Sequence, residues 1–271
     1  MRRFTVALFG ALLGICGAAG LASAAAPGEE LLPHKAVYSL RLGDQRASSP
    51  VLEAAGRFEF EWQDVCDGWT VGQKFRIVLV YEDGVSVTYG WSLSSWESKD
   101  SRRYRFFIRR FDAEGQTEEV RGEAQLEEDG SGTARFTEPE AREVALPAGT
   151  LFPTRHTLHV LAAAADDGAP AWTLVFDGSG DEGLFGVSAA LSRRLAPDAP
   201  RQLENALLDG LPSWRVNLAF YGPDAANLEP EQEQVLRLFA NGVVDEMSLD
   251  YGDFVLDADL TSLTALPKPN C

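Results

Sequence analysis

Between Gly56 and Tyr81 the chain alternates strictly for long enough to limit what it can become. Phe58, Phe60 and Trp62 take every second position, and Arg57, Glu59 and Glu61 fill the positions between. Successive side chains of a strand point to opposite faces, so a period of two describes a strand with one face buried and one face in water. Asp67-Gly68 then supplies a turn, and Trp69, Val71, Phe75, Ile77 and Leu79 resume the alternation. A chain built from such units must cover one side of an antiparallel sheet.

The same reading extends in both directions. His34–Leu42 and Val51–Trp62 are strand-like, Glu82-Asp83-Gly84 is a hairpin signal, and Val85, Val87, Tyr89, Trp91 and Leu93 line one face of the next strand. Strand patterns recur up to Leu146, then at Trp172–Phe176, Val187–Leu195 and Trp214–Tyr221. Pro197–Leu211 reads as loop with a helical turn. Glu231–Ala240 suits helix by composition and strand by the alternation of Val235, Arg237 and Phe239; Val243–Leu260 closes the chain as one strand or a pair. About twelve or thirteen strands with turns between them predict a barrel-like or sandwich-like antiparallel sheet. The period changes once. After Pro153-Thr154, the residues Leu158, Val160, Leu161 and Ala162–Ala165 predict a helix that stops at Asp166-Asp167-Gly168, with Thr154 as its N-cap. Its apolar content places it on the concave side of the sheet.

The first residues are of a different kind. Arg2 and Arg3 precede an apolar run from Phe4 to Leu21, and Ala22-Ser23-Ala24 follows. That order is a secretory leader with cleavage after Ala24, since Pro27 disfavours a later cut. The expected organisation is a signal peptide over 1–24 and a single domain over 25–271. Ile15 is too bulky for the position before an acylated Cys16, so a lipid anchor is not expected. No later stretch approaches the ~20 apolar residues of a spanning helix, so the mature form is expected to lack a transmembrane anchor.

Losing the leader removes two of 24 basic residues and none of 41 acidic ones, leaving a net charge of −19. Such a surface repels phosphate backbones and excludes nucleic acid as the expected partner. Only Cys66 and Cys271 outlast export. In an oxidising compartment they are expected to bond, because no C-x-x-C spacing suggests redox chemistry. The loop so closed spans nearly the whole domain, for an upper gain of roughly 5 kcal/mol in the chain-entropy account.

Candidate chemistry is sparse. Arg102, Arg103, Arg105, Arg109 and Arg110 form the only basic cluster, in the stretch RRYRFFIRRF. They make a candidate binding strip for phosphate or carboxylate groups. The competing reading is cross-strand pairing with Glu118, Glu119, Glu123, Glu127 and Glu128 on the following strand, and it is preferred. His156 and His159 share a helical face but lack a third ligand, so no metal is expected and His156 is read as structural. Asp177, Ser179 and Asp181 begin like a calcium loop, but Glu182 and Ser188 stand where that loop needs Gly and Glu. There is no G-x-S-x-G, phosphate loop or dinucleotide fingerprint. The expectation is a protein that is not an enzyme and carries no cofactor.

Several segments together resemble the envelope integrity protein B family, periplasmic proteins of alphaproteobacteria. They are HKAVYSLRL, GRFEFEWQDVCDGWTV around Cys66, LPAGTLFPTRHTLHVLAAA at the helix, FDGSGDEG, and ANGVVDEMSLDYGDFVLDADLTSL before the terminal cysteine. The resemblance covers almost all of the mature chain. It implies a mainly β fold, a β-spiral or open barrel of about fourteen strands with one helix beside it. It also implies a Cys66–Cys271 disulfide, a periplasmic location and a shape similar to lipoprotein carriers. The implied role is non-enzymatic support of the outer membrane by binding an envelope component or periplasmic protein through the concave surface. Two alternatives are a lipid or lipoprotein carrier, which needs an apolar cavity, and an envelope-polymer hydrolase, which needs a cleft with paired carboxylates or an activated nucleophile.

Overall fold

The computed structural model describes residues 31–45, 49–111, 114–166, 171–180, 182–196, 198–222 and 229–271. The leader and its cleavage site fall outside the described residues, as do Asp167, Gly168 and Asp181.

Fifteen strands and one α-helix follow in chain order. The strands are β1 (His34–Gln45), β2 (Val51–Asp64), β3 (Gly68–Tyr81), β4 (Ser86–Ser98), β5 (Arg103–Phe111), β6 (Thr117–Leu126), β7 (Gly132–Glu138), β8 (Arg142–Leu146) and β9 (Thr150–Leu151). The helix α1 (Pro153–Ala165) comes next. Then follow β10 (Ala171–Phe176), β11 (Leu184–Leu191), a short 3₁₀ turn at Ala206–Leu208, β12 (Ser213–Tyr221), β13 (Gln232–Phe239), β14 (Val244–Asp250) and β15 (Phe254–Ala265). Gln232–Phe239 is therefore strand, its alternation overriding its helical composition. The closing stretch is a hairpin.

All the strands belong to one sheet in the order β8-β7-β6-β5-β4-β3-β2-β1-β15-β14-β13-β12-β11-β10-β9. Neighbours are antiparallel except β9 and β10, which run parallel. The two edge strands are consecutive in the chain, so the sheet must curl round until its ends approach.

It closes by overlap. On β5 the lumen-facing row is Tyr104, Phe106 and Ile108, because Ile108 stands opposite Leu93 on β4 and both line the interior. Phe106 and Tyr104 also pack with Leu174, Phe176 and Leu184, which lie on one face of β10 and β11. The other face of those two strands carries Phe185, which lines the lumen, and Ala189, which packs with α1. Both faces of β10–β11 are thus covered, one by the interior and one by the inner face of β5–β7. This is a spiral, and the register explains why consecutive residues Val175 and Phe176 are both buried.

The contact between the two turns of the spiral is aromatic. Phe176 meets Phe106, Phe136 and Phe152 edge-on at 5.7, 6.2 and 6.4 Å between centroids, the preferred geometry for ring pairs. Gly178 lies flat against Phe106, where any Cβ would collide with the ring.

Two further devices fix the shell. Cys66, at the β2–β3 turn, is bonded to Cys271 across a sequence separation of 205, with Cα atoms 5.9 Å apart. Cys66 has φ +64°, a left-handed conformation costly for a residue with a Cβ. Its amide is held by Asp64 Oδ1 at 3.1 Å. On the outside, the connection from β11 to β12 wraps over Arg237 and Asp245. Both are buried, and they are paired at 3.7 Å. Arg237 also donates to Ser213 Oγ at 3.1 Å and to the Pro200 carbonyl.

Candidate functional site

The lumen follows from the alternation. Register sets Phe58 opposite Phe75 and Phe75 opposite Trp91, and Tyr38 opposite Phe58, so four adjacent strands turn aromatic rings inward in one row. Phe75 and Trp91 stack at 5.7 Å, Tyr38 and Phe58 at 5.6 Å. The facing wall is aliphatic: Leu218, Leu236, Met247 and Leu249 from β12–β14. Together they enclose a cavity of about 780 Å³, within the range of small-molecule sites.

Helix α1 stops one end. Val160, Leu161 and Ala164 pack against Leu31, Trp62, Trp214 and Leu238, and Pro153, Thr154, His156 and Thr157 face the cavity. The N-cap position is Phe152, whose side chain can accept nothing; Thr154 lies two residues on, inside the first turn. The cap comes instead from β4. Glu97 accepts the Thr154 amide at 2.7 Å and the Arg155 amide at 3.0 Å. A carboxylate there satisfies orphan donors and meets the positive end of the helix dipole. Burial nevertheless pushes the Glu97 carboxyl up to about 7, opposed by those two amides.

Sequence reasoning missed Glu97. The signal was parity: Trp91, Leu93 and Ser95 face inward, and so must Glu97. An ionisable residue at an inward position needs an internal partner.

His156 is buried, and desolvation brings its imidazole down to about 4, with His159 adding to the effect. His159 is exposed, so the two rings do not converge. Among the described residues no group of three or more His, Cys, Asp or Glu could hold a metal ion.

The arginines divide by strand parity. Arg110 turns to the mouth of the lumen, pairing with Glu118 at 3.1 Å. Near it, burial raises the Asp177 carboxyl against the pull of the Ser179 hydroxyl and amide. Arg103, Arg105 and Arg109 point outward. Arg109 donates to Glu119 at 2.9 Å, and Arg102 to Glu128 at 3.1 Å. Arg103 and Arg105 lie over the Trp96 ring at 5.4 and 5.0 Å.

A family model described as EipB-like matches residues 25–267. The chain belongs to the EipB-like family. It is similar to the protein named cell envelope integrity protein EipB of Brucella abortus (strain 2308), at 27% identity over 255 residues, 92% of this chain and 88% of that protein. The crystal structure of a beta-barrel-like protein of domain of unknown function DUF1849, also from Brucella abortus, matches this fold with a TM-score of 0.80. That match covers 88% of this chain and 99% of the other at 24% identity. The EipB-like fold is thus mainly β, a nearly closed sheet with a single helix. Among the described residues the charged side chains lining its interior are few, Arg110, Asp177 and Glu231. An aromatic wall, an aliphatic wall and a helical stopper can hold an extended apolar group by dispersion and exclusion of water.

Proposed function

We propose that this protein supports the integrity of the cell envelope from the periplasm, by holding the apolar part of an envelope component in its lumen without transforming it. The Brucella relative named for envelope integrity supports the general role. The observation that carries the finer reading is the lumen itself: about 780 Å³, walled by Phe58, Phe75, Trp91, Leu218, Leu236 and Met247 and stopped at one end by α1. A volume of this size behind mostly apolar walls suits an apolar ligand. The periplasm is consistent with the leader and with the disulfide.

Native mass spectrometry of the protein purified from its own periplasm is the direct test. The expected result is one or more co-purifying amphiphiles with acyl chains, released by organic solvent. Deletion of the gene is expected to sensitise cells to detergents. A ligand-free protein and wild-type detergent resistance together would overturn the reading.

A further inference from the structure

The outer face of β4–β7 carries guanidiniums that are partnered in two different ways. Arg109 is held by a carboxylate, Glu119, at 2.9 Å, with its guanidinium also 5.8 Å from the centre of the Phe107 ring. Arg105 stands opposite Glu123 in the β5–β6 register, yet it forms no ion pair among the described residues. Its guanidinium lies 5.0 Å from the centre of the Trp96 ring. Arg121, on β6, also forms no ion pair among the described residues, and lies 4.6 Å from the centre of the Phe107 ring.

Acids are not scarce in this chain, with 41 against 24 basic residues. A guanidinium left on a ring in such a protein is therefore not explained by a lack of partners. Resting on a π face satisfies its charge in part and leaves its in-plane N–H donors unused. Between the two rings the surface is low. Ser94 and Gly122 form the floor, and the register of β6 on β7 slips by one residue between Arg121 and Gly122. The result is a groove of about 490 Å³ with Arg105 and Arg121 on its walls and Thr137 beside them. Trp96 is pinned over Gly68, where a Cβ would collide with the indole.

We propose that this groove binds an anionic sugar, a ring bearing a carboxylate or a phosphate. The two guanidinium forks suit planar or tetrahedral oxyanions. The hydroxyls of Ser94 and Thr137 and the carboxylate of Glu123 suit ring hydroxyls, and the rims of Trp96 and Phe107 give apolar contact at the groove wall. The volume accommodates one or two such rings. The site lies on the opposite side of the sheet from the lumen and does not depend on what the lumen holds.

The test is a titration of the purified protein with glucuronate, glucose 1-phosphate, glucose and inorganic phosphate, followed by the Trp96 indole N–H resonance and by calorimetry. At least one of the two anionic sugars is expected to bind more tightly than both glucose and phosphate, and to weaken as salt is added. The carboxylate and phosphate arms identify which oxyanion is read. Arg105→Gln and Arg121→Gln are each expected to weaken binding by about tenfold, the loss of one charge-assisted contact, while Arg57→Gln, on β2 and paired with Glu59, leaves it unchanged. Absence of binding, or equal response to glucose, overturns the proposal. Equal response to inorganic phosphate removes the sugar from it, and binding that survives both substitutions moves the site elsewhere. The ligand comparison on the unsubstituted protein decides the matter if a variant fails to fold.

Discussion

Glu97 and Thr154 stand 57 positions apart in the chain, and the Glu97 carboxylate accepts the Thr154 amide at 2.7 Å. That contact ties the stopper of the lumen to β4. Removing it with Glu97→Ala leaves two amides of the first helical turn buried without an acceptor. The expected loss is about 2–4 kcal/mol, read from urea unfolding as a lower midpoint with an unchanged slope. Glu97→Gln keeps one acceptor and is expected to lose about half as much.

The pH dependence of stability carries two opposing contributions from this end of α1. Glu97 has a folded pKa raised from 4.5 to about 7, so the folded state holds an extra proton in that window and stability falls as pH rises through it. His156 has a folded pKa lowered from 6.5 to about 4, so the unfolded state holds the extra proton and stability rises with pH between those values. Each contribution is about 3 kcal/mol, and they nearly cancel between pH 4.5 and 6.5. Glu97→Gln is expected to leave the His156 contribution unopposed, a rise of stability with pH across this window. His156→Gln is expected to leave the Glu97 contribution unopposed, a fall over the same range. Parallel unfolding curves for all three proteins would refute the assignment.

The disulfide spans a loop of 205 positions. Cys66→Ser and Cys271→Ser are each expected to lower stability by about 2–5 kcal/mol. The double variant should lose no more than either single one, because both remove the same bond. Denaturant unfolding with and without reductant measures this. A double variant clearly worse than the singles would show that the cysteines act separately.

Under the β11–β12 connection, Arg237 is 3% exposed and Asp245 is fully buried. Asp245→Ala strands a guanidinium beneath the wrap and is expected to cost about 3–5 kcal/mol. Replacing both together, Arg237→Met with Asp245→Leu, is expected to restore much of that loss. The thermal midpoints of the single and double variants form the check.

Filling the lumen separates ligand holding from folding. Met247→Trp or Leu218→Trp reduces the free volume between the aliphatic and aromatic walls. Either is expected to cost about 1–3 kcal/mol in stability and to abolish enhancement of a fluorescent acyl probe. Unimpaired probe binding in both variants would place the apolar site outside the lumen.

The shell was legible in the sequence because its signal is local. Phe58, Phe60 and Trp62 declare their face by position alone, and the run of alternating segments gives the mainly β class and the order of hairpins. The helix was legible for the same reason, through the change of period after Pro153. The cap on that helix was not, because Glu97 is brought to Thr154 only by the curl of the sheet. Composition also misdirects at Gln232–Phe239, where the pairing partners on β12 and β14 decide for strand. The overlap of Phe176 and Leu184 with Phe106 could not be read either. Burial on both faces of a short strand looks the same from sequence whether helices or another turn of sheet cover it.

The self-overlap of the sheet has a mechanical result. A barrel zipped edge to edge has its circumference quantised by backbone hydrogen bonds, and widening it means breaking a ladder. Here the seam is a joint of rings, Phe106 and Phe136 against Phe176, with no strand ladder across it among the described residues. The girth of the tube is set there by the packing of rings, by the Tyr104 hydroxyl on the Asp177 carbonyl at 3.3 Å and by the three-residue link from β8 to β9, so the shape of a few side chains, not a hydrogen-bond register, decides how wide the interior is.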